Sequence, residues 1–292
     1  MKIHSKYALA GALFVLPSFL YYLFIFLYPL ILCFMNSFSR VNLLMGTRVF
    51  TGLINYTNLF ERVDFLKAIN RTIVYVVLTV PSLLIITIWV ANALARMKTS
   101  VSMLLTSLVL LPFMVSMVSA GIIWDWLFDP NLGLINNVLK LFHVAKPPLW
   151  LRSPDTALIS TVIITLWIRC PFSIMILFGG MINVPAELYE VADLDGIGSI
   201  RRFFTITLPL INPQILLVTT LETIFAVRIF DVIYVATADG PAGSTRTIMI
   251  YMITELFNTN YGMASAFTVL MLAVLFCISL CQQLLLKRSV EF

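Results

Sequence analysis

The chain has 292 residues, of which 60% are hydrophobic and 11% charged, with a formal net charge of +5. Its mean hydropathy is +0.99, and so few charges exclude an ordinary soluble domain, which carries roughly 25% charged residues. An integral membrane protein is expected, its positive charge anchoring loops to anionic headgroups rather than nucleic acid, since no block of lysines and arginines stands out. Cys33, Cys170, Cys277 and Cys281 lie in apolar runs without CxxC spacing, and His4 and His143 stand apart. They read as small buried hydrophobes and isolated histidines, so neither a metal site nor a catalytic centre is expected.

In chain order, six helical spans are predicted. The apolar stretch Tyr7–Met35 is far longer than the core of a secretory signal and predicts a first span over about 7–38. The others fall at about 72–95, 101–124, 157–182, 214–236 and 263–286. Helices are the reading because they satisfy their own backbone groups in lipid, and the alternation of a membrane barrel is absent. The segments 39–71, 125–156 and 237–262 between them are polar and too short for a large independent domain. Trp124, Trp126 and Trp150 suit a membrane–water interface. No internal repeat is visible, so the whole chain is expected to form one membrane domain.

Basic residues are almost evenly divided between the two sides. Arg96 and Lys98, and Lys287 and Arg288, sit in short segments directly beside spans, where the positive-inside rule has most force. Both termini are therefore expected in the cytoplasm, together with residues 185–209.

That segment, between the fourth and fifth spans, is the most polar stretch among the spans. Pro185 suits the first turn of a helix over Ala186–Asp195, with Glu187, Glu190, Asp193 and Asp195 on polar faces and Leu188, Val191 and Ala192 on an apolar stripe. Gly196 is expected in the left-handed region that ends it. Ser199 is expected to cap a second short helix carrying Arg201 and Arg202, before Pro209 and Pro213 lead into the fifth span. By its residues alone this is either an interfacial amphipathic loop or a docking helix–turn–helix whose small Ala192 admits a close partner.

The segment resembles the EAA loop of binding-protein-dependent ABC importer permeases. Glu190-Val191-Ala192, three residues, Gly196, nine residues and Ile206-Thr207-Leu208-Pro209 reproduce that motif's spacing, departing at Val191. Gly52-Leu53-Ile54-Asn55-Tyr56 is similar to a further segment of the family. So are Trp124–Asp129 with Gly133-Leu134-Ile135-Asn136, and Phe230–Val235 with Gly240–Thr245, the last two in the family's carbohydrate branch. Asp239 replaces the first glycine of a usual pair there.

The resemblance implies an all-α fold: six transmembrane helices of the type I ABC importer permease with a cytoplasmic coupling helix. It implies that Glu190, Ala192, Asp195, Gly196, Ile206, Leu208 and Pro209 couple the spans to an ATPase. It further implies a second permease, as a heterodimer, two ATPase subunits and an extracytoplasmic solute-binding protein, in a bacterial or archaeal plasma membrane. This chain has no G-x-x-x-x-G-K-[ST] sequence, so ATP and Mg are expected on the partner ATPase, with no cofactor here. The solute expected is a carbohydrate, as an oligosaccharide or glycosylated polyol. Glycerol 3-phosphate or its diesters are the alternative, and an ion-coupled secondary transporter is the alternative of another class, one that leaves the loop unexplained.

Charges inside spans are costly and mark function or buried pairs. Arg169, beside Pro171, and Glu222 are both near mid-depth, and Arg228 and Asp231 have the i, i+3 spacing that allows pairing. Each set is either an intrabundle pair or part of a substrate path, with Phe230, Tyr234, Phe225 and Trp167 as stacking faces. Glu222 is expected to face the interface between two permeases.

Overall fold

The computed structural model of the chain describes residues 4–42, 45–257 and 260–286. Lys287 and Arg288, on which the expected placement of the termini drew, lie outside the described residues. The chain packs as two compact units: Met1–Phe65 with Met252–Val274, and Leu66–Tyr251 with Leu275–Phe292. Among the described residues four helices are long and apolar enough to cross a membrane, or six if each of two bent pairs is one span.

In the first unit, α1 (His4–Tyr22) runs through a π-helical stretch, Leu23–Leu27, into α2 (Tyr28–Ser37). Pro29 explains the stretch. Proline has no N–H and its ring crowds the carbonyl four residues back, and the widened turn, with the Tyr28 N–H on the Leu23 carbonyl, absorbs the mismatch. A two-stranded antiparallel hairpin follows, β1 (Ser39–Asn42) against β2 (Thr47–Phe50), with Ser39 opposite Phe50 and Asn42 opposite Thr47. Among the described residues it is the one departure from an all-helical reading, in strands too short to show a two-residue period. After α3 (Ile54–Glu61) the chain enters α4 (Val63–Ala95), which starts well before the predicted second span. Asn55 fastens this unit: its amide donates to the carbonyls of Ser37 at 2.8 Å and Ser39 at 3.0 Å, while the Tyr56 hydroxyl donates to Ser37 Oγ at 2.8 Å. Carbonyls left unpaired at a helix end are thus satisfied by a side chain.

The second unit holds α5 (Thr99–Leu110), α6 (Met117–Leu127), α7 (Leu134–Leu141), α8 (Ala157–Ile182), α9 (Ala186–Leu194), α10 (Ser199–Arg202), α11 (Leu208–Leu210), α12 (Asn212–Val227) and α13 (Asp231–Thr237). Most of α14 (Ile248–Phe257) leads out of it, and α15 (Tyr261–Leu286) returns to it. α8 has the bounds expected of the fourth span and passes through Pro171 unbroken. Two expected spans are not straight. The third turns through 95° between Met114 and Met117: Pro112 sits in a 3₁₀ turn, Val115 is extended, and the Ser116 hydroxyl accepts the Ser119 N–H at 3.1 Å to start α6 afresh. The fifth ends at Val227, and α13 is a separate helix. No proline or glycine lies at that second break; Ile229, Val232 and Ile233 are all buried, so packing sets it.

Among its described residues this unit has two cores. One gathers Tyr75, Phe128, Ile164, Ile168, Ile229 and Ile233; the other gathers Leu83, Ile174, Leu177, Phe203 and Ile211. α6 and α13 meet at Gly121, where an added Cβ would lie 3.1 Å from Val235 Cγ1. Small residues at helix contacts are what packing in lipid requires, because no hydrophobic gain separates helix from acyl chain there.

Candidate functional site

The polar segment after α8 folds as a helix–turn–helix. Pro185 stands at the N-cap of α9 rather than inside its first turn. Gly196 has φ of +70°, the Ile197 N–H donates to the Ala192 carbonyl at 2.9 Å, and the Gly196 N–H to the Asp193 carbonyl at 3.1 Å. These two bonds are the Schellman stop, which needs a residue without a Cβ penalty at the left-handed position. Gly198, not Ser199, occupies the cap of α10, and Ser199 is its first residue. A second π-helical stretch, Phe203–Thr207, precedes Pro209 and repeats the device used before Pro29.

The residues expected to couple divide into two groups. Glu190, Asp195 and Gly196 are exposed, and Val191, Leu194 and Ile200 add exposed apolar surface beside them. Ala192 is 2% exposed. The expectation that it admits a partner is therefore corrected: its side chain is already covered by this chain. Ile206, Leu208 and Pro209 are half-buried, with Leu208 against the second core. Phe203 stacks on Trp89 of α4 at 5.7 Å between ring centroids. Arg202 is ion-paired with Asp193, and its guanidinium lies 5.5 Å from the Tyr189 ring centroid, tying α10 back to α9.

At mid-depth Arg169 and Glu222 meet. Arg169 Nε donates to Glu222 Oε2 at 3.0 Å and Nη2 to Oε1 at 2.8 Å, with Ser173 Oγ donating to Oε1 at 3.0 Å. Glu222 is 2% exposed in this chain alone, so it does not face outward to a second permease, contrary to expectation. The Arg169 guanidinium lies 4.2 Å from the Phe225 ring centroid, which occupies that aromatic face with an internal cation. Trp167 is likewise engaged, edge-on to Trp124 at 5.8 Å. Arg228 and Asp231 are exposed, and the chain leaves helical geometry between them, so the i, i+3 pair is not formed. Phe230 and Tyr234 stack on each other at 4.9 Å.

Sequence reasoning missed three partners. Ser173 follows Arg169 by four residues on one helical face and was recognisable by that spacing. Thr165 meets the Tyr75 hydroxyl at 2.6 Å, and Gln282 Nε2 donates to Thr223 Oγ1 at 2.9 Å. Polar residues in apolar runs were the available signal for both.

Outside the spans, the motif-like segments have structural employment. The Asp129 carboxylate accepts the N–H groups of Leu132 and Asn131, both at 2.9 Å, which hold its pKa below the usual carboxylate value. Asn136 Oδ1 accepts the Trp150 indole N–H at 2.6 Å. Asp239, the departure from the family pattern, pairs with Arg246, whose Nε donates to it at 2.7 Å.

The family described as "Binding-protein-dependent transport system inner membrane component" matches residues 48–290. This chain belongs to that family. It is 31% identical to the sulfoquinovosyl glycerol transport system permease protein SmoG of Agrobacterium fabrum, over 93% of this chain and 88% of the relative. It is also 31% identical to the trehalose/maltose transport system permease protein MalF of Thermococcus litoralis, over 92% and 90%. The arabinooligosaccharides transport system permease protein AraP of Bacillus subtilis shares 31% over 95% and 88%. Among solved structures, a chain of the bacterial alginate ABC transporter in complex with an alginate pentasaccharide-bound periplasmic protein superposes with a TM-score of 0.85. It shares 20% identity over 98% of this chain and 96% of that one, a likeness of fold. The chain is thus a multi-pass membrane permease of the binding-protein-dependent type.

Proposed function

We propose that this permease forms part of the translocation path of an ATP-driven carbohydrate importer, and that residues 185–209 are where a separate ATPase subunit docks. The observation that carries the docking is the two-sided build of that loop. One side has Ala192 covered and Phe203 and Leu208 in the second core, and the other presents Glu190, Val191, Leu194 and Ile200 outward. A force on the outer side is transmitted through the Schellman turn and the Arg202–Asp193 pair to α4 and α12. A carbohydrate is supported by the relatives named for sulfoquinovosyl glycerol, trehalose/maltose and arabinooligosaccharides. A second permease, two ATPases and an extracytoplasmic binding protein complete the assembly, with residues 185–209 in the cytoplasm of a bacterial or archaeal cell.

Uptake of labelled disaccharides, oligosaccharides, glycosylated polyols and glycerol 3-phosphate by cells lacking this chain tests the reading. Loss of one carbohydrate, restored by the wild-type chain, is expected; loss confined to glycerol 3-phosphate contradicts it. For orientation, an impermeant thiol reagent is expected to label Ser244→Cys in intact cells, with the native cysteines replaced. Labelling of Ser199→Cys from outside would invert the scheme.

A further inference from the structure

We infer that the second unit holds a binding site for a phosphate group at the foot of α9, between the coupling loop and the ends of α4 and α8. A cavity of about 180 Å³ opens there. Its polar wall is Asn92, Arg96, Tyr189, Arg202 and Thr207, and its apolar floor is Met181 and Ala95. Two guanidinium groups line it and no carboxylate does. Asp193 balances Arg202, but among the described residues no carboxylate is paired with Arg96.

Arg96 is exposed and is not neutralised. Its Nε donates to Asn92 Oδ1 at 3.2 Å and its Nη2 approaches the Ser199 carbonyl at 3.5 Å. Guanidinium carries five N–H donors, so three are left for a ligand. The Tyr189 hydroxyl bonds to Thr207 Oγ1 at 3.0 Å, which leaves one of these two hydroxyls with a proton to donate. Donors from α9, α10, the π-helical stretch and the end of α4 line this one cavity, and several donors from separate elements suit the tetrahedral oxygens of a phosphate. Arginine forks pair bidentately with phosphate oxygens. Arg96 and Met181 stand at the ends of the apolar helices α4 and α8, where a span gives way to the headgroup region, with Lys98 and Arg201 exposed. The ligand is therefore the phosphate of an anionic lipid headgroup or free phosphate, and it bridges the loop to α4. This site does not rest on the transport reading.

The test uses the full-length chain in phosphatidylcholine nanodiscs with and without phosphatidylglycerol. Native mass spectrometry reads retained lipid, and phosphorus NMR reads line broadening of added inorganic phosphate. Two variants disable the site differently: Arg96→Gln removes the unpaired cation, and Ala95→Leu fills the floor with every charge intact. Arg201→Gln removes a basic neighbour that does not line the cavity. Retention of phosphatidylglycerol by the wild type and Arg201→Gln, weakened about tenfold or more in both disabling variants, supports a lipid at this site. Broadened phosphate with the same variant pattern and no retained lipid supports free phosphate. No binding of either probe, or equal binding by Arg201→Gln and whichever disabling variant folds, overturns the site.

Discussion

The first span and α8 are both long and apolar, yet their surroundings are opposite. None of the most apolar window of Gly11–Ser37 is buried within the chain, whereas half of that of Ala157–Ile182 is. Apolar content does not separate them, because lipid tails are as apolar as a protein core and hydrophobicity gives a helix no preferred side. Polar residues do. On α8, Ser160, Thr161, Thr165 and Ser173 are fully buried, and Arg169 joins Glu222 of α12. Between Gly11 and Phe34 the polar groups are Ser18 and three tyrosines. In this chain the interior face of a span is written in its hydroxyls and charges.

The contrast breaks most sharply at Glu222. Glu222→Leu leaves the Arg169 guanidinium without its carboxylate and should destabilise the folded protein by about 3–5 kcal/mol, read as a lowered thermal midpoint in detergent. Arg169→Met combined with Glu222→Leu removes both charges and should regain most of that stability. If uptake returns with it, the pair is a structural joint; if stability returns and uptake does not, the charges serve the path as well.

A smaller loss is expected at Asn55, whose single amide serves two carbonyls. Asn55→Ala should cost about 1–3 kcal/mol through those unsatisfied groups, with faster proteolysis between residues 39 and 61 as the sensitive readout. Equal proteolysis rates would deny Asn55 its fastening role.

The smallest effect should come from the first span. Phe19 is 56% exposed, and Phe19→Leu should shift stability by no more than about 0.5 kcal/mol. A large shift would mean that this face is covered by something more specific than lipid.

What could be read beforehand follows the same division. α8 was legible to its ends because Pro154-Asp155 and Asn183-Val184-Pro185 bracket a mostly apolar run whose one charge is Arg169. Gly196 was legible because an acidic helix followed by glycine has few alternatives at its C-terminus. The bend after α5 had its signals in Pro112 and Ser116, which a hydropathy reading passes over. The break after Val227 had none, since it comes from burying Ile229, Val232 and Ile233 together. Arg169 and Glu222 were visible as isolated charges, but their partnership spans 53 positions, and only the packing of α8 on α12 supplies it. Ala192 misled because a small residue at a surface motif suits close approach from either side.

Coupling through residues 185–209 is tested most directly by solute accumulated per ATP hydrolysed, in proteoliposomes holding the assembled transporter with Gly196→Val. A β-branched residue resists φ of +70° at a cost of about 1–2 kcal/mol and re-aims α10 relative to α9. Gly196→Asn, which tolerates that conformation, is the control. The Val variant should assemble and hydrolyse ATP while losing most accumulation, with the Asn variant near wild type. Accumulation per ATP by Gly196→Val equal to the wild type would contradict transmission through this turn.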